Sequence, residues 1–195
     1  YFGAYDTNAV WTYNTATGEK THITNAAGSQ TDSFYWYNGT LYCGNYNVCS
    51  LTKIVDGNAQ SLFQLNDKVF EQARIHTITA GDGKIFAGTT PDMYYYGGTI
   101  AWYDTQNGYT YVAVGPTKSE VYYAKTFDAA AYTAGKVNSG LVAQPQWYNA
   151  ATNEAVTLNR KSFNGGPVAG QSINNLIYDE SSGYLYGTTS VAGGT

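Results

Sequence analysis

Glu71, Arg74 and His76 stand in one stretch, NDKVFEQARIH at residues 66–76, and Asp92 follows in TTPDMYYYGG at 89–98 with Tyr94, Tyr95 and Tyr96 behind it. A carboxylate, an imidazole and a guanidinium are the groups from which a lyase or a glycoside hydrolase draws its acid, its base and its charge stabiliser. Beside a run of tyrosines the same groups would hold a neutral sugar, with rings against C–H faces and polar heads on hydroxyls. Glu120, Tyr122 and Tyr123 in PTKSEVYYAK and Gln171 in NGGPVAGQS join the set if the fold gathers those loops on one face. Each residue also has a plainer use. Arg74 and His76, two apart on a strand, would make a structural hydrogen-bonding pair, and the tyrosines would cover a neighbouring sheet. Three consecutive tyrosines cannot all point inward from a strand, so at least one is expected at the surface.

What must position these residues is legible in the repeats. YNTATGE begins at Tyr13, YDTQNGY at Tyr103, YNAATNE at Tyr148 and YDESSGY at Tyr178. The common pattern is Tyr, an Asp or Asn, three variable residues, then Gly or Asn. A loop built on a type I turn and closed by a left-handed residue needs those types: the Asx side chain accepts the following N–H groups, and Gly closes the loop. Asn tolerates the left-handed region best after Gly, so Asn153 takes the place that Gly18 and Gly108 hold. On that reading Asn153→Gly is expected to be neutral or slightly stabilising. A second family of motifs, YWYNGTLYCGN (35–45), TITAGDGKIFAGTT (77–90) and NLIYDESSGYLYGTT (175–189), reads strand, tight turn, strand. Gly3, Gly44, Gly88 and Thr188 mark its phase, and the period is about 45 residues.

A unit of four short strands in meander order, apolar on both faces, needs a neighbour on each side. Radial repetition of such sheets is a β-propeller, and that is the expected fold, all-β with almost no helix; a β-sandwich is the alternative and would not require the fixed period. GGTIAWYDTQNG (97–108) and GQSINNLIYDESSGYLYGTTSVAGG (170–194) resemble the blades of secreted and cell-surface bacterial β-propellers, the quinoprotein-like and YVTN-like group. The resemblance implies a secreted or cell-surface protein and leaves the activity open, since such propellers include lyases, dehydrogenases, sugar-binding modules and scaffolds. The tryptophan ladder of quinone-binding members is not visible, so no cofactor is expected. Trp11, Trp102 and Trp147 recur before the Tyr-Asx turn and are expected to pack between blades, as is Trp36. The expected blade-equivalents are 1–24 with 171–195, then 25–72, 73–117 and 118–170, closing a ring or forming part of a longer protein, in which case open edges would pair with another copy.

Composition narrows the partners. Charged residues make up 12% of the chain, with a net charge of −4, 20 Tyr and 22 Gly. The ten Lys and Arg are scattered singly, which excludes a nucleic-acid stripe and a polybasic membrane patch. No apolar run reaches the twenty or so residues of a membrane helix. Two His leave nothing for a zinc site, so no metal is expected. Cys43 and Cys49 bracket five residues and would either close a disulfide across a hairpin loop in an oxidising compartment or remain two small buried thiols; the bridge is the expectation. Together these features point to a recognition module that binds a glycan or a protein partner through Asp92, Tyr94, Tyr95, Tyr96, Arg74, His76, Glu71 and Gln171. The alternative is a polysaccharide-active enzyme using the same face.

Overall fold

The computed structural model describes residues 1–5, 7–26, 30–67, 69–92, 97–125, 145–159, 163 and 166–191. Among them the protein is all-β and antiparallel; the sole helical element is a single 3-10 turn, Lys118–Glu120. The strands are β1 (Phe2–Gly3), β2 (Ala9–Tyr13), β3 (Lys20–Asn25), β4 (Gln30–Tyr37), β5 (Thr40–Tyr46), β6 (Ser50–Val55), β7 (Asn58–Gln64) and β8 (Gln72–Gly81). They continue as β9 (Lys84–Pro91), β10 (Ile100–Asp104), β11 (Thr110–Ala113), β12 (Val121–Ala124), β13 (Trp147–Asn149), β14 (Ala155–Val156), β15 (Gln171–Asp179) and β16 (Tyr184–Val191).

The turns form as their residues dictate. Asn38 and Gly39, Asp56 and Gly57, and Asp82 and Gly83 all have positive φ, between 46° and 77°, the combination that closes two-residue hairpins with the twist of the strands. The longer turns repeat one hydrogen-bond set. Asn14, Asp104, Asn149 and Asp179 each accept, through Oδ1, the backbone N–H two residues ahead at 2.8–3.0 Å. Each also accepts, through its carbonyl, the N–H of Gly18, Gly108, Asn153 or Gly183 at 2.8–2.9 Å. Those closing residues are left-handed, with φ of 75°, 74°, 62° and 72°. Asn153 is therefore the glycine-equivalent of its own turn.

The meanders stack. Sheet I is β1–β3, and β4–β14 form one eleven-stranded sheet whose first meander, β4–β7, is called sheet II. Sheet III begins as β8–β11 and continues through β12–β14, and sheet IV is the hairpin β15–β16. Val10 of sheet I packs on Leu41, Cys43 and Ile54 of sheet II. Leu51 and Phe63 of sheet II share a cluster with Ile75, Ile78, Ala87 and Ala101 of sheet III. Phe86 of sheet III packs on Ile173 and Leu176 of sheet IV. Interlayer hydrogen bonds pin the order: Ser33 Oγ donates to the Ile75 carbonyl at 3.0 Å, and Thr77 and Thr79 hydroxyls accept the Leu176 and Tyr178 N–H groups at 3.1 Å.

The repeat phase is present in the registers. Ser33 faces Gly44, Thr77 faces Gly88 and Asn175 faces Thr188, each one residue past a bulge. The glycines are required by the stacking. A Cβ on Gly44 would lie 2.5 Å from Ile75 Cγ2, and one on Gly88 would lie 2.6 Å from Ile173 Cγ2, both far inside contact distance.

Several expectations are corrected. The sheets do not close into a ring among the described residues, nor are they separate four-stranded blades: β4–β14 are hydrogen-bonded into one eleven-stranded sheet, in which β5 joins β8. The described strands of 118–170 form no sheet of their own, because β12 pairs along the free edge of β11 over four residue pairs and draws β13 and β14 after it. The described strands of 1–24 and 171–195 do not pair with one another: β1–β3 and β15–β16 are two separate sheets. Trp36 is 56% exposed, its ring 6.0 Å from that of Tyr1, because it alternates outward from Tyr35 and Tyr37, which pack on the core.

The Cys43–Cys49 bridge is also absent: both thiols are free and fully buried. Cys43 lies in the cluster between sheets I and II, whereas Cys49 lies in the cluster between sheets II and III. The two enter different clusters, and burial raises both thiols, Cys43 to about 12.

Candidate functional site

The first strands of sheets II, III and IV each carry a one-residue bulge at the same register, one position before Ser33, Thr77 and Asn175. A bulge leaves its extra residue out of the ladder and re-aims the side chain. The residues so released are Asp32, His76 and Asn174, a polar row on successive layers. Sheet II meets sheet III at the same end through a single strand pairing, Tyr46 opposite Arg74.

Around that point the polar groups converge. Arg74 Nε lies 3.1 Å from Asp32 Oδ2, with the two side chains 31% and 13% exposed. The guanidinium also sits 4.3 Å from the centre of the Tyr46 ring, so its plane is held on two sides. Gln30 Nε2 donates to Asp32 Oδ1 at 2.6 Å, which fixes the carboxylate. Thr90 pairs across the ladder with Arg74, and its buried hydroxyl has no partner among the described residues. His76 is exposed beside this group. Burial of part of the ring and the adjacent Arg74 charge hold its imidazole below the ordinary histidine range, with Asp32 pulling the other way. At neutral pH His76 is therefore a neutral ring that both donates and accepts.

The residues singled out from the sequence divide. Arg74 and His76 are brought together, joined by Asp32. Asp92 and Glu71 meet at the adjoining end of β8, where the Asp92 N–H donates to the Glu71 carbonyl at 2.7 Å and Glu71 is left-handed at φ 48°. Tyr94, Tyr95 and Tyr96 lie outside the described residues. Gln171 positions its own hairpin, since its side-chain oxygen accepts the Thr189 hydroxyl, as Gln72 Oε1 accepts Thr89 Oγ1 at 2.5 Å in sheet III. Glu120 accepts the Thr117 N–H at 3.2 Å in a capping box. Tyr123 is buried between Tyr111 and Tyr148, and Tyr122 packs on the core. Asp32, Tyr46 and Gln30 were missed. The signal was available for Asp32, because aligning Gly44 with Gly88 sets Ser33 on Thr77 and Asp32 on His76.

Arg–carboxylate pairing leaves further N–H donors of Arg74 open, and no second carboxylate pairs with it among the described residues. The arrangement can hold a polar ligand through planar donors and acceptors beside an aromatic ring. No group of three or more His, Cys, Asp or Glu suited to a metal ion occurs among the described residues.

Comparison with known proteins adds little to the geometry. No family model matches the chain, and no curated protein matches it. Among solved structures, the computationally designed Ika8 protein is similar at 12% identity and a TM-score of 0.37. The alignment covers 98% of this chain, which spans 64% of the designed one.

Proposed function

We propose that this chain is an extracellular recognition module, part or all of a β-propeller of the quinoprotein-like and YVTN-like kind, which binds a neutral glycan at the Asp32, Arg74 and His76 cluster. The supporting observation is the recurrence of one bulge on three successive layers, at Asp32, His76 and Asn174, which turns Asp32 and His76 out of their ladders beside an Arg74 already held by Tyr46. Vicinal hydroxyls take paired contacts from planar groups such as guanidinium, carboxylate and imidazole, and a ring beside them suits a C–H face. Asp92 and Glu71 border the same end of β8.

Screening the protein against a glycan array, followed by titration of the strongest hit, tests the reading. His76→Ala is expected to weaken binding about tenfold, the worth of one or two hydrogen bonds, with the melting temperature within about 2 °C. Arg74→Lys keeps the charge but loses the planar fork and is expected to weaken binding by a similar factor. Glycan binding that neither substitution changes would remove this cluster from the site. Release of reducing ends or unsaturated sugars from the hit would instead establish a polysaccharide-active enzyme.

A further inference from the structure

Every contact within the stack joins two unlike faces. The face that sheet I turns toward sheet II carries Val10; the corresponding faces of sheets II and III carry Leu51 and Phe86. The face turned back carries Cys43 in sheet II, Ala101 in sheet III and Ile173 in sheet IV. Among the described residues this leaves a forward face on sheet IV and a backward face on sheet I with no sheet upon them.

Both uncovered faces carry exposed aromatic side chains among polar ones, Asn175 and Thr188 on sheet IV and His22 on sheet I. On sheet IV, Ile177 and Tyr186 oppose one another at 67% and 57% exposure, and Tyr184, at 66%, lies one step along with Asp179 across from it. On sheet I, Phe2 opposes Trp11, and Tyr13 follows on the same face; Phe2 and Tyr13 are 38% and 55% exposed. Lys20 opposes Tyr13, with Nζ 5.0 Å from the Trp11 ring. Contiguous aromatic surface of this kind on a soluble chain marks an interaction site.

We infer that the two faces are complementary halves of one interface: sheet IV of one copy of this chain receives sheet I of a second copy, head to tail, and so continues the stack.

Three features select a second copy as the occupant. First, the forward face of sheet IV calls for a backward face, and sheet I presents one built on the same repeat, its Gly3 taking the phase of Gly44 and Gly88. Second, the charges match by position. The turn after the first strand of sheet III touches both the turn after its third strand, Thr105 N–H to Gly83 carbonyl at 2.8 Å, and sheet II, Gly83 N–H to Tyr37 Oη at 3.2 Å. Tyr178 beside Gly81 puts the turn of sheet IV at the same end, and the shared repeat assigns the turn of sheet I to it as well. Asp179 and Glu180 at the turn of sheet IV would therefore meet Lys20 at the turn of sheet I. The hydroxyls of Ser182 and Ser181, together with the Ser181 N–H, hold the Asp179 carboxyl below its ordinary range and keep it charged. Third, a contact between two different patches does not close on itself as an isologous dimer does, so it adds further copies.

Sedimentation of the 1–195 chain tests this. Two-stranded and three-stranded faces make a small interface, so the expected association is weak, at about 0.01–1 mM, with a weight-average mass that rises past the dimer as concentration increases. Tyr186→Arg blocks the face of sheet IV, Tyr13→Arg blocks the face of sheet I, and each alone is expected to be monomeric. An equimolar mixture retains one good copy of each face and is expected to stop at a 1:1 dimer. Ile177→Lys serves as a second block of sheet IV, and far-UV circular dichroism checks that each variant is folded. A wild-type chain that stays monomeric to 1 mM, as it would if some other partner or segment covers these faces, would overturn the inference. So would assembly by either single variant, or a mixture that remains monomeric.

Discussion

At the scale of the residue, Asn153 shows how a local pattern and a distant contact combine. Its left-handed φ follows from the turn, and its side chain is then used: the Tyr123 hydroxyl bonds to Asn153 Oδ1. Asn153→Gly relieves the backbone but strips a buried phenol of its partner, so the expectation from sequence moves from neutral to a loss of about 0.5–1 kcal/mol, read from urea unfolding. Asn153→Val, β-branched and unable to accept, is expected to cost about 2–3 kcal/mol. A Gly variant as stable as wild type would show that the phenol bond contributes nothing. The turn itself was legible because its pattern lies within six residues; its partner, thirty residues away, was not. Cysteine pairing failed for a related reason. Proximity in sequence told nothing of which cluster each thiol enters: Cys43 lies within β5, whereas Cys49 lies in the connection to β6, where left-handed Asn47 and Cys49 turn the chain and put the second thiol in the other cluster. With burial lifting the Cys43 thiol to about 12, both cysteines are expected to react with a disulfide reagent only at the rate of global unfolding, and rapid labelling of the folded chain at pH 8 would contradict the burial.

At the scale of the element, the phase glycines explain why the strands of one sheet choose the next as neighbour. Gly44 and Gly88 let β8 and β15 approach the ladder until Ile75 and Ile173 fill the space a Cβ would need. Gly44→Ala therefore forces the sheets apart or distorts Ile75, and a loss of about 2–3 kcal/mol is expected, in the range of overpacked cores. Gly39→Ala meets nothing within 4 Å and suffers only its left-handed φ of 77°, which amounts to about 1 kcal/mol. If the two alanines cost the same, interlayer packing at Gly44 is not what fixes the glycine. These elements were readable because the spacing from Gly3 to Gly44 to Gly88 repeats with the sheets. The bulges were not, since no residue type announces them, and the link of Arg74 to Asp32 depends on bulges in two strands at once.

At the scale of the whole molecule, the difference between the expected separate blade at 118–170 and the observed extension of sheet III comes down to one indole. Trp147, 3% exposed, meets Phe70 edge-on at 5.4 Å, and Phe70 meets Phe163 at 6.2 Å, so β13 is anchored to the same cluster as Leu65 and Val114. The extension of sheet III is thereby tied to the connection that leads into β8, and β12 has its edge partner in β11 rather than in a fresh first strand. Removing that anchor should separate the molecule into unequal parts. Trp147→Ala is expected to cost about 3–5 kcal/mol, a large share of the stability of a domain of this size. In hydrogen exchange the amides of 121–124 and 147–156 should lose protection by two orders of magnitude or more, while those of β4, β5, β8 and β9 change by the global loss alone. Uniform loss across all strands would mean that the stack and its extension unfold as one unit and that Trp147 supports both. Retention of protection at β12 and β13 would mean that edge pairing along β11, not the aromatic anchor, holds the extension in place.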